Sequence, residues 1–427
     1  MKFIHTADIH LDSPLRGLSS YADAPADRLR TATRDAFRNL VTHAIEEQVD
    51  FMVIAGDVYD GDWKDFNTGL FFVRQMGRLR QAGIPVYLLY GNHDAESEMT
   101  RGLELPDNVH AFSSRKAQTF RIEDKRVALH GRSFKVAATT ESLLPDYPDP
   151  VAGWLNIGVL HTALEGNAAH ARYAPCSVAE LQAKGYQYWA LGHVHEHWMQ
   201  RGAVTIAYPG NLQGRHIREP GARSALLVSA EDGEITGIER LEVDVLRWHA
   251  LEVDISAVAD QRDAIRAAGL ALERTLAATP SHLTVAVRVL FKGRSAAHAA
   301  LIADEAQLRQ ELIGQAVALD ADRVWIEKVQ VASEAPDPGT APSDDDAQDA
   351  LAELASLALA AKDDPDFVKS LQDDWLAMLE KLPHDLWQAS PDLQALRQDP
   401  VSQVPDRVRQ ATALVMGRVL QASGTST

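Results

Sequence analysis

Apolar and polar residues alternate in blocks along the first half of the chain. "KFIHTA", "DFMVIAG" and "IPVYLLYGN" are short runs dominated by branched and aromatic residues. Between them, "ADRLRTATRDAFRNLVTHAIEEQ" and "FNTGLFFVRQMGRLRQAG" place apolar residues at helical intervals. Near-continuous apolar strands separated by amphipathic helices predict a sheet covered on both faces, because a strand with one wet face would alternate instead. "WLNIGVLHT", "GYQYWALGHVH" and "AVTIAYPGN" extend the strand series to about residue 210, and "ARSALLVSA" adds one more.

From about residue 246 the pattern becomes β-α-β-α-β. "RWHALEVDI" precedes a helix near 260–277, "HLTVAVRVLFKG" precedes a helix near 297–315, and "RVWIEKVQV" closes the unit. The expected organisation is therefore a first domain over 1–245 and a small α+β domain over 246–332. A linker rich in Pro, Asp and Ser follows over 333–346, "SEAPDPGTAPSDDD". Residues 347–427 read as helical. Leu351, Leu354 and Ala358 share one face, and Val368, Leu371, Trp375, Leu379 and Leu382 make a clearer stripe. No internal repeat is evident.

Composition narrows the class. A chain of 427 residues is too long for one ordinary domain, and 46% hydrophobic content leaves ample material for a core. No apolar run approaches the roughly 20 residues of a membrane span, and "MKFIHTADIH" lacks the apolar segment of a signal peptide. One cysteine, Cys176, excludes an internal disulfide framework. A cytoplasmic protein without a membrane partner is expected. The net charge of −18 argues at first against a nucleic-acid substrate. Yet residues 333–400 hold 16 acidic against 4 basic residues, so most of the excess lies outside the region that carries the candidate chemistry.

That chemistry lies where the apolar runs end. "HTADIH" offers Asp8 and His10, "IAGDVYD" offers Asp57, and "LLYGNHD" offers Asn92 and His93. "GVLHT" offers His161, and "ALGHVH" offers His193 and His195. Any one of these is weak, since Gly-Asp after a strand is usually a turn and a histidine at a strand end is usually a packed side chain. Together they place polar donors repeatedly outside the carboxyl ends of strands, where α/β folds bind ligands. Mixed imidazole and carboxylate donors suit Mn, Fe or Zn better than Ca or Mg. Two ions with Asp57 bridging them through its two oxygens account for the mixture. Such a pair activates water and clamps a phosphoryl oxygen. His93, with Asp94 beside it to hold its ring, is better placed as a catalytic group than as a ligand.

The ordered set Asp-x-His, Gly-Asp-x-x-Asp, Gly-Asn-His-Asp, His and Gly-His-x-His resembles the calcineurin-like metallophosphoesterase superfamily. "MKFIHTADIHLDSPL", "ARYAPCSVAEL" and "YPGNLQGRHIRE" are similar to bacterial DNA repair exonucleases of the SbcD and YhaO type. The resemblance implies an α/β fold of the α+β kind: a metallophosphoesterase β-sandwich flanked by helices, with a small α+β cap domain and a helical C-terminal segment. It implies one metal held by Asp8, His10, Asp57 and His195, a second held by Asp57, Asn92, His161 and His193, and His93 as the catalytic histidine. Two Mn2+ ions would be the cofactors. DNA would be the substrate, and an SMC-like coiled-coil ATPase of the SbcC or YhaN type would dock on "DFVKSLQDDWLAMLEKL". Such nucleases often form homodimers.

One position departs from that resemblance. Asp60 stands where the SbcD-type nucleases commonly carry a histidine that handles the substrate phosphate. A carboxylate there repels phosphate unless it is paired. Arg215, His216 and Arg218 in "QGRHIRE" offer compensating charge as substrate-binding residues. The expected function is a Mn-dependent phosphodiesterase acting as a DNA repair exonuclease or endonuclease. The alternatives are a phosphodiesterase for small or cyclic nucleotides and a binding subunit with a structural metal site.

Overall fold

The computed structural model describes residues 1–13, 26–60, 66–96, 103–164, 173–336 and 364–379, with a few isolated positions beyond. Two six-stranded sheets dominate the first part of the chain. The first has the order β12-β11-β1-β2-β3-β4. It is built from β1 (Lys2–Thr6), β2 (Phe51–Ala55), β3 (Val86–Leu89), β4 (Val109–Ala111), β11 (Ser224–Glu231) and β12 (Glu234–Glu242). The second has the order β5-β6-β7-β8-β10-β9. Its strands are β5 (Gln118–Ile122), β6 (Val127–Gly131), β7 (Leu155–His161), β8 (Tyr188–Gly192), β9 (Trp198–Gln200) and β10 (Thr205–Tyr208).

Both sheets follow one plan, with four neighbouring parallel strands and antiparallel strands added at the margins. The apolar runs show why. In β2 every residue is buried. Phe51, Val53 and Ala55 enter the core between the sheets, while Met52 and Ile54 face the other way. There they join Phe37 and Leu40 of α1 (Ala26–Glu46) and Phe72, Met76 and Leu79 of α2 (Phe66–Gln81). From the second sheet, Leu129, Ile157, Val159 and Tyr188 complete the inter-sheet core. Each fully buried Ile, Val or Phe stabilises the fold by about 1.5–3 kcal/mol. The chain is thus a sandwich of mixed sheets flanked by helices, as the family resemblance implies.

Beside this core His5 of β1 is fully buried. Its Nε2 donates to the Leu191 carbonyl at 3.1 Å, and its Nδ1 accepts from the Tyr188 hydroxyl at 2.9 Å. Both ring nitrogens are satisfied, so a neutral imidazole sits there without a buried orphan.

The contacts divide the chain into two compact units: residues 1–250, 279–287 and 322–325 in one, and 251–278, 288–321 and 326–427 in the other. A three-stranded sheet has the order β13-β14-β15, from β13 (Leu246–Asp254), β14 (Thr284–Arg294) and β15 (Val324–Glu334). The second unit carries α5 (Gln261–Ala278), α6 (His298–Ala303) and α7 (Glu305–Asp320), with α4 (Val178–Ala183) and the short α3 (Asn92–Glu96) lying earlier in the chain. The single helix expected near 297–315 is two, because Asp304 leaves helical geometry and caps α7 by accepting from the Gln307 amide. Beyond β15 the described chain resumes in α8 (Pro365–Leu379), which takes in most of the expected apolar stripe. Most of the expected linker, along with Leu351, Leu354, Ala358 and Leu382, lies outside the described residues.

Candidate dinuclear metal centre

The strand register delivers the candidate ligands to one edge. Thr6 pairs with Ile54 and Ala55 with Leu89, so β1, β2 and β3 end level; Asp8, Asp57 and Asn92 lie just beyond them. In the second sheet His161 pairs with Gly192, and His193 follows immediately. At this edge the backbone enters the left-handed region at Asp8 (φ 50°), His10 (φ 44°), Asp57 (φ 53°) and His193 (φ 104°). Non-glycine residues seldom adopt that conformation, and it is held only where the surrounding structure enforces it. Close approach is enforced as well. A Cβ on Gly91 would lie 2.2 Å from Asp57 Oδ1, and one on Gly192 would lie 2.0 Å from the Ala55 carbonyl.

All seven expected ligands come together. Asp8, His10 and His195 form one cluster, and Asp57, His161 and His193 form another. Asn92 Oδ1 lies 3.0 Å from His161 Nε2. Asp57 stands between the two groups. Its Oδ2 is 3.9 Å from His10 Nε2 and 3.3 Å from His161 Nε2, while Oδ1 accepts the His93 amide at 3.0 Å. Asp8 is held by the His193 amide, at 3.1 and 2.9 Å to its two oxygens.

The histidines are oriented from behind. His161 Nδ1 donates to the Ala55 carbonyl at 2.9 Å, and His195 Nδ1 lies 2.8 Å from Glu219 Oε1. With Nδ1 so engaged, Nε2 is the atom each ring turns inward. His195 Nε2 faces His10 Nε2 at 3.1 Å, an approach of two imidazole nitrogens that calls for a shared proton or a cation. The inward-facing atoms are therefore carboxylate oxygens, an amide oxygen and imidazole nitrogens, the donor set of a borderline divalent ion. The charges agree with that fit. Burial and the Arg215 guanidinium press His10 down to about 3, leaving it neutral as a ligand must be. Burial also acts to lower His161, but Asp57 and Asp8 override it and raise the imidazole to about 9. In the metal-free protein a proton on His161 thus stands where a cation's charge would.

His93 sits at the rim with 39% of its side chain exposed. The expected partner of its ring is corrected here. Asp94 is buried, and its two oxygens accept from the amides of Tyr59 and Gly91, both at 3.0 Å. Burial and the neighbouring Asp57 push Asp94 up to about 6. Asp94 therefore shapes the loop rather than the ring. The carboxylate facing His93 is Asp60, with Oδ1 3.4 Å from His93 Nδ1 and 3.4 Å from His10 Nδ1. Ser13 Oγ donates to Asp60 Oδ2 at 2.6 Å, and Arg215 Nη1 lies 3.9 Å from the same oxygen. Burial would raise Asp60, but His10, Ser13 and Arg215 outweigh it and hold the carboxyl well below its usual range.

Of the three expected substrate-binding residues, Arg215 lies beside the centre. His216 is half-buried, 3.8 Å from Glu219 Oε1, and Arg218 points to the exposed surface. His197 donates to the Tyr208 carbonyl at 3.1 Å and stays out of the clusters. Glu219 was not legible beforehand: it ends a run of basic residues, and no spacing marks it as the partner of His195. Ser13 is likewise one hydroxyl in a loop.

A family model described as calcineurin-like phosphoesterase matches residues 1–197. The chain carries a calcineurin-like metallophosphoesterase domain. A second model, the middle domain of the metallophosphoesterase YhaO, matches residues 248–334. The uncharacterised metallophosphoesterase YhaO of Bacillus subtilis is 36% identical over 260 residues, 60% of this chain and 64% of its own length. The DNA double-strand break repair protein Mre11 of Methanopyrus kandleri is 26% identical over 299 residues, 61% of this chain and 60% of its own. The chain thus covers less than two thirds of the length of either relative. Among solved structures, a dimetal phosphatase from Danio rerio matches with a TM-score of 0.37 at 12% identity, covering 57% of this chain and 98% of that one. Calcineurin-like phosphoesterases use a dinuclear metal site, and the clusters around Asp57 are its candidate here. Among the described residues no helix is long and apolar enough to cross a membrane.

Proposed function

We propose that the phosphoesterase domain hydrolyses phosphodiesters of DNA as a Mn-dependent repair exonuclease or endonuclease. Asp8, His10, Asp57 and His195 would hold one ion, and Asp57, Asn92, His161 and His193 the other. When bound, the two ions supply an activated water and a clamp for phosphoryl oxygens. The residues of the chain do the rest. Asp60 facing Nδ1 fixes the His93 ring and leaves Nε2 as the atom that donates to a phosphoryl or leaving oxygen. Arg215, beside Asp60 and Ser13, offsets the carboxylate that would otherwise repel the substrate. The observation that carries this reading is Asp57, whose Oδ2 lies 3.9 Å from His10 of one cluster and 3.3 Å from His161 of the other, with its Oδ1 on the amide of the rim histidine.

The polymer substrate rests on the likeness to a double-strand break repair protein. The partner would be an SMC-like coiled-coil ATPase docked on α8, where Phe367 is 44% and Met378 56% exposed. A cytoplasmic location and self-association follow from the same reading.

Incubating the protein and Mn2+ with linear duplex DNA, single-stranded DNA, cyclic nucleotides and a small chromogenic diester tests the proposal. Shortening of DNA supports it. Turnover of cyclic nucleotides or the small diester with intact DNA assigns the site to small nucleotides. Metal binding with no turnover of any substrate assigns the chain to a binding role.

A further inference from the structure

The two sides of the metal centre are oriented by different means. His161 is held by a main-chain carbonyl, which substitution of a side chain cannot remove. His195 is held by a side chain, Glu219, which is only 5% exposed. Its carboxylate is fully engaged. Oε1 takes His195 Nδ1 at 2.8 Å and Arg215 Nη2 at 3.0 Å; Oε2 takes the Arg215 amide at 2.8 Å and Asn211 Nδ2 at 2.9 Å. Asn211 is 1% exposed and also donates to the Gln213 carbonyl. Arg223 ties the His195 carbonyl to Asn211 Oδ1. The carboxylate is thus fixed from behind before it meets the histidine.

We propose that Glu219 is a positioning residue for one metal only, the ion held through His195, and that the same carboxylate stations Arg215 beside Asp60. The inference rests on the reading of His195 as a ligand. A charged acceptor on Nδ1 makes the opposite nitrogen a stronger donor and stops the ring from turning, which a carbonyl does less strongly. The plainer account is an ion pair four residues apart, worth a few tenths of a kcal/mol on an exposed surface. Burial excludes that account. A carboxylate removed from water is tolerated only with its acceptor capacity filled, and here two of the donors come from His195 and Arg215, side chains whose other nitrogens meet the centre. The arginine therefore arrives at the rim already bonded and does not order itself on substrate.

The test reads metal binding rather than turnover. Metal-free wild-type protein and the variants Glu219→Gln and Glu219→Asp are titrated with Mn2+ in a calorimeter, with urea unfolding of the metal-free forms alongside. Wild type is expected to bind two ions. Glu219→Gln is expected to weaken one of them by roughly 10–100-fold while the other stays within about threefold. Glu219→Asp, which keeps the charge but not the reach, is expected to fall between. Arg215→Gln, which leaves the His195–Glu219 contact in place, is expected to keep both affinities within about threefold. Two unchanged affinities in Glu219→Gln, or two that fall together, overturn the proposal, as does failure of both Glu219 variants to fold. A wild type that binds no Mn2+ overturns the metal reading itself, a distinguishable result.

Discussion

His5 lies inside the core between the sheets, and His161 lies at the edge of that core; both are wholly buried. Burial drives His5 down to about 3, with only a hydroxyl and a carbonyl as partners. The same burial acts on His161, yet Asp57 and Asp8 carry it up to about 9. One histidine is neutral and structural; the other is charged until something replaces its proton. Removal from water does not by itself mark a ligand. The company of carboxylates does, and the sheets collect that company only where their strands end.

Replacing the shared carboxylate breaks this contrast most severely. Asp57→Ala is expected to lose both ions, measured by metal analysis after gel filtration, with turnover down by at least about 10³-fold. Full metal content would reject Asp57 as the link. His93→Ala separates chemistry from loading: both ions stay, and turnover falls by about 10²–10⁴-fold. Cleavage at the wild-type rate would remove His93 from the mechanism.

A third prediction follows from the charge on His161. The imidazole is protonated below about 9 in the metal-free protein and must be neutral to bind a metal. Metal affinity at that site is therefore expected to fall about tenfold for each pH unit below 9. Calorimetry in buffers of different ionisation enthalpy would report close to one proton released at pH 7; none released would mean that the proton is not there. Asp60→Asn is expected to lower turnover by roughly tenfold while metal content is unchanged, since it removes the charge facing His93 and spares the shared carboxylate. A loss of metal would instead make Asp60 a ligand.

The last prediction belongs to the core. His5 stays neutral in the fold down to about 3, while an unfolded chain protonates its histidines near 6.5. Its contribution to stability is complete above pH 6.5 and is lost as the pH falls from there towards 3, by at most about 1.4 kcal/mol per unit. Urea unfolding at pH 6.5 and 4.5 should show a weaker pH dependence in His5→Gln than in wild type. Equal slopes would mean that the unfolded chain shields this histidine too.

The strands that frame the site were legible because burial on both faces left their sequences almost without polar interruption. β4, β5, β6, β9 and β12 were not. Along β12 exposed residues recur throughout, as at Glu234, Glu239, Arg240 and Glu242, so its burial is too slight to write a hydrophobic pattern. Its turn was nevertheless marked: Asp232 and Gly233 both take positive φ, the Asp-Gly signature of a tight hairpin. Among the site residues, ligands were readable from their place after strands. Their supports were not, because Glu219 reaches His195 from 24 residues away in the chain, through a loop with no periodicity. Asp94 misled for the converse reason. Adjacency in sequence suggested contact, but successive side chains in a tight loop diverge, and its carboxylate was taken by main-chain amides.

The level ending of the strands has a mechanical consequence. Asp8, His10, Asp57 and Asn92 follow strands of the first sheet, whereas His161, His193 and His195 belong to the second. Each proposed ion would therefore draw ligands from both sheets, and would work as a clasp across the open end of the sandwich. A slip of one sheet past the other by a single residue, about 3.3 Å, would undo both clasps at once. The sheets cannot then drift in register without losing the chemistry, and chelation should loosen the whole edge before any strand has unfolded.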